Sequence, residues 1–180
     1  MQAGPRRISV VSALIAVASL AIHADGTPPS QAAEIQLQLG SLLYSEGRYN
    51  ESLEAYQNAL KTTDTLALRS ARAGVIQSAL RVAEFDLARN EAETLVKIAP
   101  RDPDAMTLYG DALWASGLFE EAELKYRAAL ALTPELPRGL HGVARSLLAQ
   151  NRLDDAMNQA QAALRLSPRD MEIHHTVGAI

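Results

Sequence analysis

Residues 100–134 read PRDPDAMTLYGDALWASGLFEEAELKYRAALALTP, and the spacing that begins here decides the fold. The stretch runs from Pro100 to Pro134, and Pro168 follows at the same interval, so these prolines recur every 34 residues. Ala88, Ala122 and Ala156 keep that period, and so do Gly110, Ala144 and Gly178. Three residue classes on one period mark an internal repeat.

Inside the stretch, Met106, Tyr109, Gly110 and Leu113 recur at the spacing of one helical face, and Ala122, Tyr126 and Ala129 do so again after a break. Each repeat is therefore expected to hold two short helices. The break is Ser116-Gly117-Leu118, with Gly117 where a helix ends in a left-handed residue, a conformation free of Cβ strain in glycine. Gly47 and Asn151 fill the same slot in the first and fourth units, but Ala83 fills it in the second. Alanine is poorly suited to that backbone, so the second unit is expected to be the least regular. The repeating prolines end each unit because they cannot donate to a continuing helix and bias the preceding residue toward extended geometry. Gly110 and Ala122 are small where two helices should cross closely.

Read outward, the units are 33–66, 69–102, 103–136 and 137–170, with the first helix of an incomplete fifth at 171–180. Ser52 aligns with Ala88 and Asp64 with Pro100 at a spacing of 36, which places two extra residues in the turn between the first two units.

These residues make the chain resemble the tetratricopeptide repeat family, over residues 33 to 180. The third unit fits best, through Met106, Tyr109, Gly110, Leu113, Ala122, Tyr126 and Pro134. The first keeps Leu39, Gly40, Leu43 and Tyr56 but departs at Gln36, Ser52 and Asp64, and the second departs at Arg72 and Ile76. The resemblance implies an all-α, right-handed superhelical solenoid of antiparallel helix-turn-helix repeats, binding a protein or peptide partner in a concave groove lined by the first helix of each pair. It places in that groove Tyr44 of the first unit, Arg81 of the second, Asp111 and Trp114 of the third, and Arg138, His141, Arg145 and Leu148 of the fourth. An acidic stripe then faces a basic one. Arg138, His141 and Arg145 are spaced for one helical face, and guanidinium groups bind carboxylates bidentately, so this trio is expected to clamp an acidic segment or a free carboxylate.

Composition agrees with the helical reading and narrows function. Hydrophobic residues make up 48% and aromatics only 4%, with alanine and leucine throughout, which suits closely packed helices rather than sheet. From residue 25 onward, 21 acidic side chains outnumber 15 basic ones and no basic run appears, which argues against nonspecific nucleic-acid binding. The absence of cysteine removes thiolate catalysis, Cys-ligated zinc and disulfides. No nucleophile elbow, phosphate-binding glycine loop or His-Glu-x-x-His helix occurs, so no enzymatic activity and no cofactor are expected. His174-His175 are adjacent, hence about 100° apart on a helix and ill placed to chelate one metal. His174 takes the packing position of Met106 and Leu140, and His175 turns toward the groove.

At the N-terminus, Arg6-Arg7 precedes the apolar stretch Ile8 to Ile22 and then Ala24. That order is the order of a secretory signal, residues 1–24, cleaved after Ala24 or retained as a membrane anchor, with 25–32 as a linker. A periplasmic or secreted protein follows. At the other end, Ile173, Val177 and Ile180 lack a second helix to pack on, which suggests either a longer native chain or pairing of two copies. The function expected is an exported interaction scaffold. The alternative is the targeting module of a larger exported enzyme, such as a hydrolase, with its catalytic domain beyond Ile180.

Overall fold

A computed structural model describes residues 29–180. The expected leader and residues 25–28 of the expected linker lie outside the described residues. The described residues contain helices and no strands: α1 Pro29–Ser45, α2 Tyr49–Ala59, α3 Thr65–Arg81, α4 Phe85–Ile98, α5 Pro103–Ala115, α6 Phe119–Leu132, α7 Pro137–Ala149, α8 Leu153–Leu166 and α9 Met171–Ala179. This is an all-α helical repeat solenoid. The helix begins at Pro29, inside the expected linker, because Gln31, Ala32 and Ala33 are good helix formers that extend α1 backwards.

The chain divides into two compact units, one ending at Ser78 and the other running from Ala79 to Ile180. In the first, α1 packs on α2 around Tyr56, whose ring fills the space left by two glycines. A Cβ on Gly40 would lie 2.9 Å from that ring and one on Gly74 only 2.4 Å. Ser52, at a position where the repeat pattern has alanine, is fully buried. It donates a hydrogen bond to the Gly40 carbonyl at 2.8 Å and lies 3.0 Å from the Ser78 hydroxyl, so its polarity is satisfied.

Asp64 stands where the pattern has proline, and the structure shows why. Its Oδ1 accepts the Ala67 N–H at 2.7 Å, an N-cap that starts α3 at Thr65. As a result α3 has 17 residues against 13 in α5 and α7, while α2 has 11 against 14 in α4, α6 and α8. The expected placement of two extra residues in the turn is corrected. They are absorbed chiefly by lengthening α3, because Asp64 caps it a turn early.

In the second unit, α4 to α9 pack successively, and α5 also touches α7, and α7 touches α9. Ala88, Ala122, Ala144 and Ala156 are fully buried between helices. Tyr126 repeats the glycine-flanked arrangement of Tyr56. A Cβ on Gly110 would come within 2.6 Å of its ring and one on Gly142 within 2.4 Å. Gly178, in the register of Gly110, has open space around it.

The turns inside the helix pairs share one conformation. Gly47 (φ 77°), Ala83 (φ 63°), Gly117 (φ 78°) and Asn151 (φ 60°) are all left-handed. The residue after each donates back to a carbonyl five positions earlier: Arg48 to Leu43, Glu84 to Ala79, Leu118 to Leu113 and Arg152 to Leu147, at 2.9–3.0 Å. These bonds close the ends of the first helices in the Schellman manner. The irregularity expected at Ala83 is therefore absent. Packing and the return hydrogen bond hold alanine in a conformation that costs roughly 1–2 kcal/mol. Ala83→Gly is expected to stabilise the chain by about 0.5–1 kcal/mol in urea denaturation, since the strain removed outweighs the backbone entropy that glycine adds to the unfolded chain.

Between pairs, Ala99, Thr133 and Ser167 leave helical geometry with φ of −136°, −137° and −132°, each just before Pro100, Pro134 or Pro168. Asp102 and Asp170 then cap α5 and α9 through their side chains.

Candidate partner-binding recess

The first helices of the repeats in the second unit, α5, α7 and α9, bring together five of the seven groove candidates: Asp111, Trp114, Arg138, His141 and Arg145. The other two are not part of this cluster on α5, α7 and α9. Tyr44 is half-buried in the first unit with its ring edge-on to Tyr49 at 5.2 Å, and Arg81 is exposed at the end of α3.

Asp111 sits at the centre of the cluster, with its side chain only 11% exposed. Its Oδ1 accepts the Tyr126 hydroxyl at 2.7 Å and also pairs with Arg145, and its Oδ2 accepts Arg138 Nη2 at 2.5 Å. Arg145 Nη2 also donates to the Tyr126 hydroxyl at 2.5 Å. The guanidinium lies over the Trp114 ring at 4.6 Å and the Tyr126 ring at 5.6 Å. Burial opposes the charge on Arg145, but Tyr126 and Asp111 outweigh it and raise its pKa above the ordinary arginine value. Burial, then the Asp111 carboxylate, pushes the Tyr126 phenol well above its ordinary pKa, which keeps it a donor. Arg138 and Arg145 of the expected basic stripe are thus directly paired with Asp111 of the acidic one.

His141 lies on the same face of α7, one turn before Arg145. Thr176 donates its hydroxyl to the Glu172 carbonyl at 3.1 Å and so accepts from His141 Nε2 at 2.8 Å, tying α7 to α9. Burial first, and Arg145 second, lower the His141 pKa, favouring the neutral ring.

Beside this cluster opens a recess of about 560 Å³ with a mostly apolar lining. Trp114, Leu148, Ala149, Met171 and Ala179 supply the apolar wall, and His141, Arg145, Glu172, His175 and Thr176 the polar rim. Met171 is 76% exposed. Trp114 faces two ways, packing against the core around Tyr126 and lining the recess. Carrying the 34-residue register into α9 turns Arg138, His141 and Arg145 into Glu172, His175 and Ala179, so three of the five α9 residues that line the recess were readable from spacing.

The expectation for His174 is corrected. It is exposed, with Nε2 2.9 Å from the Pro168 carbonyl, while Ile173 and Thr176 form the buried face of α9. Met106 and Leu140, at the same register, are half-buried within helix pairs.

Sequence reasoning missed a second polar cluster. Glu123, 8% exposed, accepts Arg127 Nε at 2.8 Å and Gln150 Nε2 at 3.0 Å, which ties α6 to the turn after α7. No spacing within a single repeat signals this contact.

Sequence models described as tetratricopeptide repeat match residues 33–63 and 76–137. The chain is a tetratricopeptide repeat protein. The fold is shared with the crystal structure of YrrB, described as a TPR protein with an unusual peptide-binding site, at TM-score 0.70 and 18% identity, covering 93% of this chain and 84% of that one. MamA from Desulfovibrio magneticus RS-1 superimposes at TM-score 0.66 and 17% identity, covering 89% and 96% of the two chains. Among curated proteins, the DnaJ homolog subfamily C member 7 homolog of Schizosaccharomyces pombe is 27% identical over 160 residues, covering 80% of this tetratricopeptide chain. The chain spans about a third of that relative's length, 34%.

Proposed function

We propose that this protein is a non-catalytic scaffold that holds a partner protein or peptide by seating a large apolar side chain in the recess between α5, α7 and α9. A tetratricopeptide fold is that of a protein–protein interaction scaffold. The observation that carries the finer reading is the recess itself: an open apolar wall beside two arginines already committed to Asp111. Buried aromatic and aliphatic anchors supply most of the energy of such contacts. Burial of one large side chain is worth about 1.5–3 kcal/mol. With Arg138 and Arg145 paired internally, an apolar anchor fits the site better than the acidic clamp suggested by spacing alone.

The reading is tested by capturing partners with the wild-type chain and with Leu148→Asp, which places a charge on the apolar wall. Circular dichroism confirms that the variant folds. A partner held by wild type is expected to be lost from Leu148→Asp and to survive 0.5 M salt. Retention by both proteins would place the binding surface elsewhere.

Export is part of the same proposal. Arg6-Arg7, the apolar stretch Ile8 to Ile22 and Ala24 support a signal or an anchor, hence a periplasmic or secreted scaffold.

A further inference from the structure

We infer that Arg138 and Arg145 form an anion site that Asp111 fills from within the chain, making Asp111 the residue that sets the recess against acidic partner segments. The inference goes beyond the apolar-anchor reading, because it concerns what the site excludes. Two guanidinium groups on one face of α7 and the Tyr126 hydroxyl on α6 converge on a single carboxylate from α5. Three donors, one on Oδ2 and two on Oδ1, are what a bound carboxylate ligand would require. Asp111 supplies that carboxylate at the cost of no association entropy, since the chain already holds it in place. Arg145 is fixed further by lying over Trp114, and both side chains line the recess while the Arg145 guanidinium pairs with Asp111.

An acidic segment entering the recess therefore finds both cations engaged, and it also meets the Glu172 carboxylate on the rim. A neutral apolar segment displaces nothing. The selectivity resides in one residue: without the Asp111 carboxylate, Arg138, Arg145 and Tyr126 are left facing an empty place shaped for an anion.

Formate is the part of the side chain that Asp111→Ala deletes, so it is the probe. Melting temperatures are compared for wild type, Asp111→Ala and Asp111→Ala/Arg145→Met, in formate and in chloride of equal ionic strength. In Asp111→Ala, about 0.1 M formate is expected to raise the melting temperature by about 3 °C over chloride. Wild type and the double variant are expected to show no such difference. A labelled tetraglutamate peptide is expected to bind Asp111→Ala at least about tenfold more tightly than wild type. If Asp111→Ala is unfolded in chloride, recovery of helical circular dichroism in formate supports the inference equally. It is overturned if formate acts no differently from chloride, if the variant stays unfolded in both, or if wild type binds the peptide as tightly as the variant. Failure here leaves the apolar-anchor reading standing, because that reading is tested through Leu148 and a captured partner.

Discussion

Tyr126→Ala is expected to cost about 3–5 kcal/mol, and adding Gly142→Leu to it to restore about 1–2 kcal/mol, although Gly142→Leu alone is destabilising. The sign reversal follows from geometry. Tyr126 is fully buried, its hydroxyl is held by Asp111 and Arg145, and a Cβ on Gly142 would fall 2.4 Å from its ring. A ring fixed at both ends cannot move aside, so bulk at residue 142 is not tolerated while the ring is present. One repeat earlier, the corresponding positions hold Ala92 and Leu108, both buried, and one repeat later Ala160 and Thr176. A large residue on the second helix is thus matched by glycine on the next first helix, and a small one by a larger partner. The double variant copies the Ala92 and Leu108 solution. Urea denaturation of the two single variants and the double variant measures the coupling, and simple additivity of the two losses would contradict it.

Asp111→Ala is expected to lower stability by about 3 kcal/mol. Removing one partner of a buried pair leaves the other charge uncompensated, at a typical cost of about 3–5 kcal/mol. The lower end applies because the Arg138 side chain, 45% exposed, can turn back to water, whereas Arg145, 24% exposed and covered by Trp114, cannot do so fully. The loss is expected to persist in 0.5 M salt, since pairs shielded from solvent are little screened. Chemical denaturation at low and high salt checks both points. A loss that vanishes with salt would mean that the pair behaves as a surface contact.

The helical pairs were legible because their requirements fall at fixed intervals: proline where a helix must stop, alanine where two helices touch, glycine or asparagine where the backbone turns left-handed. The family resemblance also put Asp111, Trp114, Arg138, His141 and Arg145 on helices that meet. What it did not give was the pairing among them. Asp111 and Arg145 are 34 residues apart, and their ionic contact depends on how one repeat stacks on the next, which periodicity within a repeat does not encode. Gly74 and Gly142 escaped notice for the same reason: each lies two residues before the register position of Gly110, held by Ile76 and Ala144 in their units, and answers a tyrosine in the preceding repeat. Ala83 shows the opposite case. Local preference argued against a left-handed alanine, and the surrounding packing overrode it.

A partner seated against the inner helices of the second unit leaves its mark on hydrogen exchange, measured on the chain with and without a captured partner. Exchange is expected to slow in α5, α7 and α9, most strongly near Trp114, Leu148 and Met171, with α6 and α8 unchanged. Slowed exchange confined to α6 and α8 would contradict this placement of the partner.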